Sequence, residues 1–153
     1  MDNLLSTDKN AMKEKMIATN ESLFKAWNTG DQELMLGHLA DNFTRTENGE
    51  KSSASAAEYI NMMKFFRTAI PDLTFEWEVM TTTKDKTFTK WVARGHNNGK
   101  FGEQPPTGKH SVTHGFTILT FNEDGVVEHE EAYIDKLSYL EDWGYILTPP
   151  NAS

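Results

Sequence analysis

Apolar positions along this chain follow two rhythms, and the change falls at Pro71. Before it, Met12, Met16, Ile17, Leu23, Phe24 and Trp27 recur close to every 3.6 residues, which predicts an amphipathic helix over about residues 9–29. Gly30 is placed to end that helix and Asp31 to cap a short second one carrying Leu34, Leu36 and Leu39. A short strand follows around Phe43. Ser55 and Glu58 then form an S-x-x-E capping box, behind which Tyr59, Met62, Met63, Phe66, Ala69 and Ile70 make one stripe of a helix over 55–70. Pro71 stops it.

Beyond Pro71 the period becomes two. Leu73, Phe75, Trp77 and Val79 alternate with polar residues, and 87–94, 111–121 and 126–135 read as three more strands, the last two joined by a turn at Asn122–Gly125. A closing helical turn carries Leu137, Leu140 and Trp143. Helices first and a long antiparallel sheet second predict an α+β domain spanning 1–153. The sheet should be bent, with the N-terminal helices closing a pocket on its concave side. Two strands are apolar on both faces: Phe88 and Val92 oppose Trp91 and Ala93, while Val112, Phe116 and Ile118 oppose Leu119 and Phe121. With no helix left to cover the second face, a homodimer formed sheet to sheet is expected.

Composition narrows the partners. A formal net charge of −8 and a pI near 5.1 argue against nucleic acid, which needs a basic face. The chain has no cysteine, so disulfides and thiolate metal sites are excluded. Its first ten residues lack the basic segment and apolar run of a signal peptide, and nothing later reads as a membrane span, so a cytoplasmic protein with no membrane contact is expected. The run KFGEQPPTGKH, residues 100–110, has the look of a phosphate loop but not its spacing. Five residues rather than four separate Gly102 from Gly108, His110 stands where Ser or Thr is needed, and Pro105 and Pro106 remove two amide donors.

The same stretch has a better parallel. Gly95 to Lys109, with Pro105-Pro106-Thr107-Gly108-Lys109 at its end, resembles the G-T-H-x-G-x-F-x-G-x-P-P-T-G-K segment of SnoaL-like polyketide cyclases, a branch of the nuclear-transport-factor-2-like superfamily. Gly125 to Asp135, followed by Leu137, Leu140 and Gly144, is similar to that family's G-x-I-x-E-x-W-x-x-x-D and closing helix, and IPDLTFEWEV, residues 70–79, to its helix-to-strand joint. The family's His, Glu and Trp are replaced here by Asn97, His129 and Glu131, while its Asp remains as Asp135. The resemblance implies an NTF2-like cone and cofactor-independent chemistry on a small hydrophobic carbonyl or polyketide-like ligand. An Asp general acid/base would close a ring by an aldol step, or a related isomerisation would use the same group.

Residues two apart on a strand share a face, so Val127, His129, Glu131, Tyr133 and Asp135 are expected on one side, with Glu128 and Glu130 on the other. If the first set lines the pocket, Asp135 is a desolvated general base and His129 orients it or protonates the product alkoxide. If not, this is the wet face of an antiparallel sheet. Candidate substrate contacts are His114, Glu131, Tyr133, Asn97, Trp91 and Phe116. His114 also reads as a hydrogen-bonded core residue, and Asn97 as part of a turn. Trp27, Phe66 and Trp77 are core by default, with one or two of the aromatics walling the cavity. No metal is expected, because HEEAY is not H-E-x-x-H and a strand spreads His129, Glu131 and Asp135 too far to converge. A non-catalytic pocket for a small hydrophobic ligand is the competing function.

Overall fold

The computed structural model describes residues 2–151, with side chains from residue 8. Met1 and residues 152–153, to which the expected 1–153 domain extends, lie outside the described residues. The elements run α1 (Asp2–Thr29), α2 (Gln32–Leu36), β1 (Leu39–Glu47), β2 (Glu50–Ser53), α3 (Ala56–Ala69), β3 (Thr74–Thr82), β4 (Lys86–His96), β5 (His110–Phe121), β6 (Val127–Ile134) and α4 (Lys136–Asp142). The caps fall where the side chains predict. Asp31 accepts from the Leu34 amide at 3.0 Å, and Ser55 accepts from the Glu58 amide at 3.2 Å. The architecture is the NTF2-like α+β cone.

All six strands join one curved sheet in the order β2-β1-β6-β5-β4-β3. Every neighbouring pair is antiparallel except β1 and β6, which run parallel. β2 is an addition to the expected set: Asn48 (φ 52°) and Gly49 (φ 85°) turn the chain back as an Asn-Gly hairpin. Asn48 also pins β6, donating to the Ile134 carbonyl at 3.0 Å and accepting from its amide at 2.9 Å. The core forms where the apolar stripes of α1 and α3 meet the concave face. Met16, Leu23 and Phe24 of α1 and Tyr59 and Met63 of α3 are buried with Trp91, Leu119 and Phe121 of the sheet. Phe24 stacks on Trp77 with ring centroids 5.1 Å apart.

One irregularity decides which side chains enter the cone. In the β5–β6 ladder Thr120 pairs with His129, but the next partners are Phe121 and Val127, so Glu128 is an extra residue. Such a bulge resets the alternation. Val127 and Glu130, three positions apart, both face inward, followed by Ala132; His129, Glu131 and Tyr133 face outward. Glu130 therefore faces the interior, opposite to the side expected of it, and the His129–Glu131–Tyr133 face is the outer one.

The 97–109 segment connects β4 to β5, with Gly108 (φ 73°) reversing the chain just before β5. Its anchor is Asn97, 1% exposed. The Asn97 amide group donates to the carbonyls of Ala69 (3.1 Å) and Gly99 (3.0 Å), and its oxygen accepts from the Thr107 amide and hydroxyl, both at 3.0 Å. Among the described residues no helix is long and apolar enough to cross a membrane.

Candidate functional site

The cone encloses a cavity of about 90 Å³. Leu23, Phe24 and Trp27 of α1, Met62 and Phe66 of α3, and Tyr139 and Trp143 at the far end close it against Phe75, Trp91, Thr117 and Leu119 of the sheet. Trp91 lies flat across β5 because Gly115 has no side chain: a Cβ there would come within 2.0 Å of the indole. The Trp91 indole N–H donates to the Thr117 hydroxyl at 2.9 Å.

One corner is charged. Arg45 of β1 and Glu130 of β6 are register partners on the inner face. Arg45 is 3% exposed and Glu130 5%. Arg45 Nη1 donates to Glu47 Oε1 at 2.9 Å and to Ser52 Oγ at 2.8 Å, while Arg45 Nε stands 3.3 Å from Glu130 Oε2. That last contact is an ion pair without hydrogen-bond geometry, so Oε2 of Glu130 has no donor. Lys136, the first residue of α4, holds the other oxygen of Glu47. Two cations and two carboxylates thus meet in the lining, and the corner carries no net formal charge.

These neighbours set the protonation states. Burial alone would raise the Glu47 carboxyl, but hydrogen bonds from Lys136 and Arg45 outweigh it and hold the group below the usual carboxylate range. For Arg45, burial would lower the pKa; the charge of Glu130 and the hydrogen bond and charge of Glu47 outweigh it and keep the guanidinium protonated. Burial, reinforced by the charge of Glu130, pushes the Tyr59 phenol well above its ordinary value. Tyr59 accepts the Trp27 indole N–H at 2.9 Å and lies beneath the guanidinium, which stands 5.4 Å from its ring centroid. Tyr139 is pushed up to about 12, by burial and then by Glu47.

Of the residues singled out in the sequence as candidates, the structure brings Trp91 into the cavity wall, together with Trp27 and Phe66. His129, Glu131 and Tyr133 stay together, but on the outer face. His129 Nδ1 shares a 2.8 Å hydrogen bond with Thr44, and Tyr133 donates to Glu131. His114 and Phe116 pair with Val92 and Lys90 on that outer face too, and His114 is exposed. Asp135 is exposed at the N-cap of α4, where it accepts from the Ser138 amide at 3.0 Å, and is not among the cavity-lining residues. Asn97 spends its side chain on four hydrogen bonds to Ala69, Gly99 and Thr107 and anchors the connector. The charged residues that do line the cavity, Arg45, Glu47, Glu130 and Lys136, were not candidates, nor was Tyr59 beside them. A signal for one of them exists: Arg45 shares the alternation of the buried Phe43, so a charge is written onto a core face.

A family model of SnoaL-like polyketide cyclases matches residues 18–143. A search of curated proteins gives no match. Among solved structures, AclR, a candidate hydroxylase from Streptomyces galilaeus, is 22% identical, with a TM-score of 0.78 over 92% of this chain and 87% of that one. IdmH, a candidate polyketide cyclase from Streptomyces antibioticus, is 21% identical, with a TM-score of 0.74 over 85% of this chain and 99% of its own. A candidate polyketide cyclase from Bacillus cereus is 19% identical, with a TM-score of 0.73 over 87% of this chain and 83% of that one. At these identities the likeness is one of fold.

Proposed function

Because the chain belongs to the SnoaL-like polyketide cyclase family, we propose that it catalyses proton transfer on a small hydrophobic, polyketide-like carbonyl compound in the cytoplasm, as a cyclase or related isomerase, with Glu130 as the general base. The observation that carries this is the state of the two carboxylates inside the cavity. Glu47 is held on both oxygens, by Arg45 and Lys136. Glu130 keeps an oxygen with no hydrogen-bond donor. A carboxylate with a free lone pair beside aromatic walls can take a proton from a carbon next to a carbonyl and return it after ring closure. Arg45 compensates its charge meanwhile, and Tyr59 lies beside the pair. Glu130 then fills the role that the family resemblance assigns to Asp135, whose carboxylate is engaged in capping α4.

Binding without turnover is the second reading, and the Arg45–Glu130 ion pair favours it, since it engages the carboxylate within the protein. Exchange of the α-protons of 2-tetralone in deuterated buffer, followed by NMR, separates the two. Glu130→Gln is expected to reduce enzyme-dependent exchange by about 100-fold or more. Asp135→Asn should retain most of it. Loss in the Asp135 variant with retention in the Glu130 variant would return the role to Asp135; no exchange with the wild-type protein would leave a binding module. The same reading includes a homodimer through the outer sheet face, where Phe88, Val92, Val112, Phe116 and Ile118 are only half-buried.

A further inference from the structure

Three indoles stand in the cavity wall, and two of them have their N–H used within the protein. Trp27 donates to Tyr59 and Trp91 to Thr117, each at 2.9 Å. The third, Trp143, closes α4 as its C-cap residue and is 1% exposed, yet its Nε1 has no hydrogen-bond partner. The ring packs against Tyr139 (centroids 5.0 Å apart) and edge-on to Phe101 (5.3 Å), which contribute no acceptor for the N–H. A buried donor left unmade costs stability and calls for a reason.

We propose that the indole N–H of Trp143 is a ligand-recognition group that donates to a carbonyl oxygen of the molecule held in the cavity. The inference rests on the reading of the cavity as a ligand site and adds the identity of the group that orients the ligand. It also narrows the ligand. The charged corner is internally compensated, so an uncharged molecule fits it better than a carboxylate or phosphate ester. Trp143 leaves a donor unpartnered in the lining and Glu130 an acceptor, which matches a molecule with a carbonyl oxygen and an acidic hydrogen beside it. The rest of the lining is largely apolar, suiting fused rings.

The test uses binding at equilibrium, which does not depend on turnover. Dissociation constants of 2-tetralone and of tetralin, its analogue without the carbonyl, are measured by calorimetry for the wild-type protein, Trp143→Phe and Trp91→Phe. The wild-type protein should bind 2-tetralone the more tightly. Trp143→Phe should weaken 2-tetralone by about fivefold to tenfold and leave the ratio of the two ligands close to one. Thermal melts of the free proteins give the second readout: Trp143→Phe should lower Tm less than Trp91→Phe, because the latter also loses a hydrogen bond already made. Equal weakening of both ligands by Trp143→Phe would reduce the role to packing. A Tm loss equal to that of Trp91→Phe would mean that the N–H is already satisfied, for instance by the Phe101 ring, and would overturn the proposal. So would a wild-type protein that does not prefer 2-tetralone. Loss of proton exchange in Glu130→Gln with no effect of Trp143→Phe on the binding ratio would reject this inference while leaving the general-base reading intact.

Discussion

Replacing Asn97 by Ala separates an architectural role from a ligand-contacting one. The side chain makes four hydrogen bonds, two donated to the carbonyls of Ala69 and Gly99 and two accepted from Thr107. At about 0.5–1.5 kcal/mol each they would sum to about 2–6 kcal/mol. The lower part of that range applies, because Ala69 keeps the Gly99 amide at 3.2 Å and Thr107 is exposed enough for water to replace its partner. A loss of about 2–3 kcal/mol is therefore expected, which for a chain of this size lowers Tm by roughly 4–12 °C. The measurement is urea unfolding with a parallel thermal melt, and limited proteolysis should map new cleavage to the 97–109 connector. Binding of 2-tetralone, measured well below the new Tm, should change little. Unchanged stability combined with lost binding would refute the argument and restore Asn97 as a substrate contact.

Gly115→Ala should cost about 2–4 kcal/mol in urea unfolding, from overpacking against the Trp91 indole and loss of its bond to Thr117; an unaltered midpoint would show that Trp91 does not lie across β5. Light scattering after size exclusion at micromolar concentration should give a mass near twice the chain's 17.4 kDa, and a mass near 17.4 kDa would dismiss the sheet-to-sheet dimer.

Periodicity made the helices and long strands legible, because their faces are fixed by burial over many residues: the stripe from Tyr59 to Ile70 and the alternation from Leu73 to Val79 each point one way. β2 was within reach as well, through Asn48-Gly49, but its four residues, of which only Ser53 is buried, carry no apolar rhythm. The site was the harder part. Counting by twos along β6 from Val127 assigns His129, Glu131, Tyr133 and Asp135 to the interior, and the count holds only if no residue is extra. The bulge at Glu128 forms where the ladder bends, a property of the curved sheet that no local residue type announces. Asp135, one residue past the end of β6, answers to the start of α4 instead. Arg45 was readable in principle, as a charge on the face of Phe43. Its ion-pair partner Glu130 was not, nor was the Lys136 that holds Glu47, since both lie more than eighty positions further along the chain.

That distance has a consequence for the order in which the protein becomes functional. β1 and β6 meet in the sheet's one parallel pairing, with Thr44 and His129, 85 positions apart, in contact. A parallel neighbour so remote cannot be recruited by a tight turn, and closing so large a loop is entropically slow. During synthesis the first half of the chain is finished long before residues 127–143 exist, so Arg45 waits with only nearby groups such as Glu47 and Ser52 for company. The charged corner, the last wall at Tyr139 and Trp143, and the pocket itself all come into being together, once β6 and α4 have been made. A chain stopped short of β6 lacks the strand that joins β1 to β5, and with it the site. The pocket of this fold is thereby deferred until residues 127–143 have been made.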